Sequence, residues 1–235
     1  MVMIDPNLRH VLVTGASRGI GRAIALELGR DHHILVGGTR PETVEKVVAG
    51  LPSAEPFVCD LADERSTSAA VSRLTRLDAL VNCAAVGSSD STIAETGRDE
   101  WRRVLEVDVV AVADLTRLLL PLLRASGGDV VMINSGSGIN PPRAGGAVYA
   151  AAKYALRALT HALREEQRGR VRVTSIHPGR VDTDMQVALQ ARAGRPYDPS
   201  EHLRPESVAA TVRAALEASD EAMIEELSVR PVFTP

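Results

Sequence analysis

Cysteine is nearly absent: two residues, Cys59 and Cys83, in a chain of 235 exclude a disulfide-stapled scaffold. Both close expected strands and are expected to be buried thiols in a reducing, cytoplasmic compartment. The histidines, including the pair His32-His33, lack metal-ligand spacing with cysteine or carboxylate partners, so no metal site is expected. An excess of positive charge is also missing. A formal net charge of −3 leaves no global basic field to point to nucleic acid or an anionic membrane. Long apolar runs are missing too: Leu118-Leu119-Leu120-Pro121-Leu122-Leu123, closed by Arg117 and Arg124, is far too short to span a bilayer. The start, Met1-Val2-Met3-Ile4-Asp5-Pro6, has no basic segment followed by an apolar stretch and does not read as a secretory signal. No linker, repeat or low-complexity tract divides the chain, so one domain over 1–235 is expected.

What is present is an ordinary globular balance, 45% hydrophobic and 24% charged, arranged as short β-branched runs alternating with longer helical segments. That pattern predicts an α/β fold, a doubly wound parallel sheet covered on both faces. Strands are expected near 10–14, 33–37, 56–59, 78–82, 129–134, 171–177 and 223–229. Helices are expected near 19–30, 41–50, 64–74, 98–125, 147–168 and 205–218. The long connection 182–204, with Gly194, Pro196 and Pro199, is expected to be an irregular loop or short helix over a site, a substrate lid. It follows a strand's carboxyl end, where ligands bind in open α/β sheets.

Two motifs carry chemistry. Gly15-Ala16-Ser17-Arg18-Gly19-Ile20-Gly21 follows the strand-like His10-Val11-Leu12-Val13 and opens a helix with the apolar period Ile20, Ile24, Ala25, Leu28. Such a turn brings amides at a helix N-terminus against phosphate, and a dinucleotide pyrophosphate would satisfy them. Tyr149 and Lys153 stand four apart, so on a helix they share a face and the phenol and ammonium reach one site. A tyrosine acid working near neutral pH needs its pKa lowered by several units from ~10, each unit being about 1.4 kcal/mol, and a neighbouring lysine supplies part of that. The combination points to nicotinamide-dependent carbonyl chemistry.

Thr14 to Gly21, Asn82-Cys83-Ala84-Ala85, Ser135, Tyr149-x-x-x-Lys153 and Pro178-Gly179 together resemble the short-chain dehydrogenase/reductase family, in its order and over nearly the whole chain. The resemblance implies a seven-stranded Rossmann-like sheet, NAD or NADP, and reversible oxidation of an alcohol to a carbonyl. It implies that Gly15, Ser17, Arg18, Gly19, Ile20 and Gly21 hold the dinucleotide. Asp60, with Leu61, would contact adenine. Asn82, with Ala84, would steady the central sheet and the adenosine ribose. Lys153 would hydrogen-bond the nicotinamide ribose. The backbone near Val181 and the Thr183 hydroxyl, after Pro178-Gly179, would hold the carboxamide for pro-S hydride transfer. The family often has Asn and Gly where this chain has Cys83 and Ala85, a change expected to alter packing.

Cofactor preference follows from charge. Val36-Gly37-Gly38-Thr39-Arg40 brings no acid to the end of the second strand, where an NAD-preferring chain would bind ribose hydroxyls with a carboxylate. Arg18 and Arg40 instead offer guanidinium groups suited to a phosphate, so NADP(H) is expected over NAD(H). Ser135 closes the fifth strand, where it could donate to the developing alkoxide. The family's spacing to tyrosine is one residue shorter than from Ser135 and one longer than from Ser137. Ser135 is preferred and Ser137 remains the alternative. Neither sits in the Gly-x-Ser-x-Gly elbow of a serine hydrolase.

Asp108 lies on the apolar face traced by Trp101, Leu105, Val112, Leu115 and Leu119, where a lone carboxylate is costly unless paired or protonated. The family usually has asparagine there, its carbonyl holding a water linked to the lysine and its side chain steadying a local kink. Aspartate keeps the shape and adds a possible charge near Lys153.

The leading expectation is an NADP(H)-dependent oxidoreductase interconverting a small carbonyl compound and its alcohol. The ending Glu226-Leu227-Ser228-Val229-Arg230-Pro231 resembles members acting on 3-hydroxy acids. Alternatives are a 3-oxoacyl-thioester reductase, with Arg102 and Arg103 receiving an acidic carrier, and an NADP-binding sensor without turnover. Tyr197 and Gln186 are possible substrate contacts, as is the stretch Ser88-Ser89-Asp90-Ser91. The family often assembles through its two long helices, and Ala147, Ala150, Ala151, Ala155 and Ala158 would permit close packing there, so a homodimer or homotetramer is expected.

Overall fold

Alternation along each central strand builds two cores at once. The computed structural model describes residue 5, residues 7–192 and residues 194–232. In strand β1 (His10–Val13), Val11 and Val13 face one side of the sheet and Leu12 the other, all three fully buried. Seven parallel strands form the sheet: β1, β2 (His33–Gly38), β3 (Ala54–Val58), β4 (Ala79–Asn82), β5 (Asp129–Ile133), β6 (Arg172–Pro178) and β7 (Glu226–Val229). Their order is β3-β2-β1-β4-β5-β6-β7. The order reverses between β1 and β4, which opens a crevice at the strands' carboxyl ends.

Helices cover both faces. On one side α1 (Gly19–Leu28), α2 (Pro41–Val48) and α8 (Pro205–Leu216) pack Ile24, Leu28, Val44, Val208 and Val212 onto Val11, Val13, Ile34 and Val36. On the other, α5 (Ala111–Ser126) and α6 (Ala147–Glu166) pack Leu115, Leu119, Leu123 and Leu156 onto Leu12, Leu35 and Leu80. Each fully buried leucine contributes about 1.5–3 kcal/mol of transfer free energy. Helix α3 (Glu64–Val71) starts where the Asp63 carboxylate accepts the Arg65 and Ser66 amides. No helix among the described residues is long and apolar enough to cross a membrane.

The structure departs from the sequence expectation chiefly in two places. The helix expected over 98–125 is α4 (Arg98–Leu105), a π-helical turn (Glu106–Val110) and α5. The 182–204 connection contains a short helix, α7 (Asp184–Arg192), one of the two forms expected of it. Strand β7 starts at Glu226 rather than near 223, and the Ile224 carbonyl just before it is taken by the Thr174 hydroxyl at 2.6 Å.

Candidate active site

The turn after β1 needs its glycines for two reasons. Gly15 and Gly19 have φ of 65° and 53°, left-handed values that glycine adopts without a Cβ penalty. A Cβ on Gly15 would stand 2.9 Å from Ala84 Cα, and one on Gly21 would stand 2.4 Å from the Gly15 carbonyl oxygen. The turn is therefore pressed against both the chain after β4 and its own helix. Thr14 locks that contact: its hydroxyl oxygen accepts the Cys83 and Ala84 amides at 2.9 and 3.0 Å.

Gly15, Ser17, Arg18, Gly19, Ile20 and Gly21 line a cavity of about 500 Å³ at the switch point. The first amides of α1 have no acceptor within the helix, and the residues that carry them border this space. Gly37, Gly38, Thr39 and Arg40, at the end of β2, form another wall, and Leu61 and Ala84 also line it. Arg18 and Arg40 are both exposed at the rim. Arg18 lies 3.7 Å from Asp184, a pair more than 70% exposed on each side and therefore weak. Among the described residues no carboxylate is within ion-pair distance of Arg40.

The cavity is also lined by Tyr149, Lys153, Cys83, Val86, Asn134 and Met185. Tyr149 is half-buried, whereas Lys153 is 2% exposed, and its Nζ lies 5.4 Å from the Tyr149 ring centre. Asp108 stands in the π turn, 1% exposed. Its Oδ1 accepts the Val86 amide at 2.8 Å and its Oδ2 lies 3.1 Å from Lys153 Nζ. The second contact lacks hydrogen-bond angles, so its attraction is chiefly Coulombic. Burial pulls the Lys153 pKa down, but Asp108 and Tyr149 outweigh it and the net direction is upward. Burial pushes the Cys83 thiol up to about 12 against the opposing Lys153 charge. Cys83 is partly open to the cavity yet deep beneath the surface.

Ser135 sits just past β5, its hydroxyl oxygen accepting the Ser137 amide at 3.1 Å. That leaves its own proton free to donate. The cavity lining reaches Asn134 and stops short of both serines. Thr183 lines the cavity, its hydroxyl donating to the Val181 carbonyl at 3.3 Å. A Cβ on Gly19 would approach the Thr183 methyl to 3.4 Å, so the start of the 182–204 connection lies against the glycine turn. Pro178 ends β6, the Gly179 amide donates to the Val229 carbonyl at 2.7 Å, and Val181 bridges to Leu203.

Asp60, Asn82, Asp108, Pro178, Gly179 and Val181, like Ser135, are expected residues that do not line the cavity. Asp60 is exposed and its carboxylate accepts the Ala62 amide at 3.0 Å. Asn82 is buried in the sheet, its amide donating to the Thr116 hydroxyl at 3.2 Å. Several lining residues were not singled out from sequence, Asn134 and Met185 among them. Asn134 Oδ1 accepts the Ser135 amide at 2.9 Å and its buried Nδ2 has no partner among the described residues. The group of three or more His, Cys, Asp or Glu that a metal ion would need is absent among the described residues.

A nucleotide-sized cradle at the switch point of a Rossmann-like sheet, with a tyrosine and a buried lysine in its lining, defines a dinucleotide-dependent oxidoreductase. The chain belongs to the short-chain dehydrogenase/reductase family: the family described as short chain dehydrogenase matches residues 9–194. Dehydrogenase/reductase SDR family member 11 of Bos taurus is 33% identical over 95% of this chain and 96% of its own length. The NADP-dependent 3-hydroxy acid dehydrogenase of Schizosaccharomyces pombe is 28% identical over 95% of this chain and 92% of its own. The alcohol dehydrogenase of the archaeon Thermococcus sibiricus, solved with 5-hydroxy-NADP, superposes with a TM-score of 0.86 at 27% identity over 97% of this chain and 99% of that one.

Proposed function

We propose that this protein is an NADPH-dependent reductase of small carbonyl compounds, reversible as an alcohol dehydrogenase, with Tyr149 as its general acid and base. The observation that carries the reading is the placement of Tyr149 and the buried Lys153 in the lining of the same cavity as the glycine turn. The residues fit a dinucleotide: a Cβ would obstruct the turn at Gly15 and Gly21, and helix-end amides border the space. Two rim arginines without an acid at the end of β2 favour the 2′-phosphate of NADP. The yeast relative's name specifies NADP and the archaeal structure holds an NADP derivative.

In this proposal Arg18, Arg40 and the amides of residues 19–21 hold the phosphates. Thr183 and the Val181 backbone orient the carboxamide, and Lys153 reaches the nicotinamide ribose. Bound NADPH supplies the hydride for the carbonyl carbon. Tyr149 delivers the proton that the carbonyl oxygen needs, the Ser135 hydroxyl donates a hydrogen bond to the same oxygen, and the Lys153 ammonium favours the phenolate left behind. The connection 182–204 serves as the lid. The carrier-bound alternative is less favoured because Arg103 donates to the Gly87 carbonyl at 2.8 Å and Arg102 lies 3.6 Å from Asp99. A homo-oligomer formed through α4–α5 and α6 is supported by Val110 and Tyr154, 52% and 42% exposed there.

The test is NADPH oxidation, with NADH in parallel, against free β-keto acids, keto esters, diketones and a carrier-bound 3-oxoacyl thioester. Turnover of a free substrate should fall about 10²–10⁴-fold in Tyr149→Phe, the usual contribution of a positioned proton donor, with NADPH affinity retained. Tight NADPH binding without any turnover would favour a sensor, and turnover confined to the thioester would favour the carrier reading.

A further inference from the structure

The ion pair between Asp108 and Lys153 asks for more than a helix-shaping role. An asparagine would keep the bond from the Val86 amide and nearly the same volume without burying a charge. Here the second carboxylate oxygen has the lysine ammonium as its nearest partner, at 3.1 Å, with the two side chains 0% and 3% exposed. Removing either charge from water costs several kcal/mol, and breaking such a pair leaves the other charge uncompensated. The titratable groups facing the ammonium are Asp108 from the π turn, Tyr149 from its own helix and Cys83 from the chain after β4. Cys83 holds its proton to about pH 12. Asp108 is thus the carboxylate of the cluster. Asp108 stands within the π turn of the α4–α5 helix, Glu106–Val110, and such bulges recur at functional sites.

We propose that Asp108 is the counter-ion of Lys153, a positioning residue whose carboxylate keeps the lysine an ammonium ion and holds it in place beside Tyr149. The consequence for turnover rests on Tyr149 and Lys153 being the catalytic pair; the ion pair itself does not. Without the carboxylate, burial is the largest influence left on Lys153, and the lysine sheds its proton at a lower pH.

The chain suits a direct test, because lysine occurs at two positions, Lys46 and Lys153, and Lys46 is exposed on α2. Cofactor-free protein labelled with ¹³C at the lysine ε-carbon gives two resonances, assigned with Lys46→Arg. Lys153 should keep its ammonium chemical shift throughout the range in which Lys46 titrates. In Asp108→Asn it should lose its proton at a pH about two units or more below that of the parent. NADPH-dependent turnover of the variant should fall on the alkaline side at a correspondingly lower pH, whereas a residue that only shapes the helix leaves that profile unmoved. The proposal is overturned if Lys153 of the parent titrates with or below Lys46, a result that needs no variant to fold. It is equally overturned if the Asp108→Asn titration superimposes on the parent's. A shifted Lys153 titration without turnover of any carbonyl supports the ion pair and defeats the reductase reading.

Discussion

Arg40 tests cofactor choice at the level of one guanidinium. It is exposed, lines the cavity and has no carboxylate within ion-pair distance among the described residues, so a 2′-phosphate would be its principal charge partner. A hydrogen bond to a charged group is worth about 1.5–3 kcal/mol. Arg40→Ala should therefore weaken NADPH binding about 10- to 100-fold and leave NADH binding unchanged, measured by quenching or enhancement of the bound nicotinamide's fluorescence. Equal losses for both would assign Arg40 to the shared diphosphate, and no loss would make it a solvated surface arginine. The groups legible in the sequence at this scale were those fixed by local spacing. Tyr149 and Lys153 share a helix face at i and i+4, and the glycine turn is contiguous; all of them line the cavity. Asn134 and Met185 were not legible. The former depends on where β5 stops, and the latter on how a distant connection folds back toward Gly87, whose added Cβ would lie 3.7 Å from Met185 Cγ. Nothing in their neighbours along the chain marks either one.

Elements were legible in type and less so in their interruptions. An apolar stripe at Val112, Leu115, Leu119 and Leu123 gives a helix, but the same period passes smoothly through Glu106–Val110. The π turn costs one residue of register, which the pattern around it conceals. The 182–204 connection was legible as a break between strand and helix by its prolines, yet α7 within it buries only Gln190 among the described residues and so carries little apolar period. Tyr197 ties that connection to itself. Its hydroxyl donates a short hydrogen bond to the Asp182 carboxylate, and its ring centre lies 4.9 Å from that of His202. Burial first, then Asp182, pushes its pKa up to about 12, so it remains a donor across the working range. Across the cleft Arg192 donates to the Ser88 carbonyl at 3.0 Å. Loss of one such bond, about 1–1.5 kcal/mol, should enlarge the open population roughly tenfold. Tyr197→Phe is therefore expected to be cleaved about tenfold faster within 182–204 by a dilute protease and to raise KM more than it lowers kcat. A cleavage rate equal to the parent's would show that the hydroxyl does not hold the lid.

Across the whole molecule, the two ends of the sheet divide the work. All the groups assigned to chemistry lie at or beyond the strands' carboxyl ends, while the amino ends of β1, β4, β5 and β6 are tied by a charge network. The Asp129 carboxylate accepts Arg172 Nε at 2.7 Å and Arg9 Nη2 at 2.5 Å. Arg9 also donates to the Asp78 carbonyl at 3.2 Å, the Asp78 carboxylate accepts the His10 amide at 2.7 Å, and Arg172 reaches the Ala218 carbonyl at 2.9 Å. Asp129 is 5% exposed, but Arg9 and Arg172 are 34% and 22% exposed, so solvent still relieves part of their charge if it is lost. Asp129→Asn should accordingly cost about 2–3 kcal/mol, below the ~3–5 kcal/mol of a fully buried pair. At this chain length each kcal/mol lowers the melting temperature by about 2–4 °C, a fall of about 5–10 °C by calorimetry or circular dichroism. Strands of four to seven residues at ~3.3 Å per residue place the network roughly 13–23 Å from the cofactor end, beyond the distance at which separate changes usually couple. NADPH affinity of the folded variant should therefore stay within about twofold of the parent's below its melting range. If affinity falls in step with stability, the two ends are one cooperative unit, and the amino-end network also shapes the site.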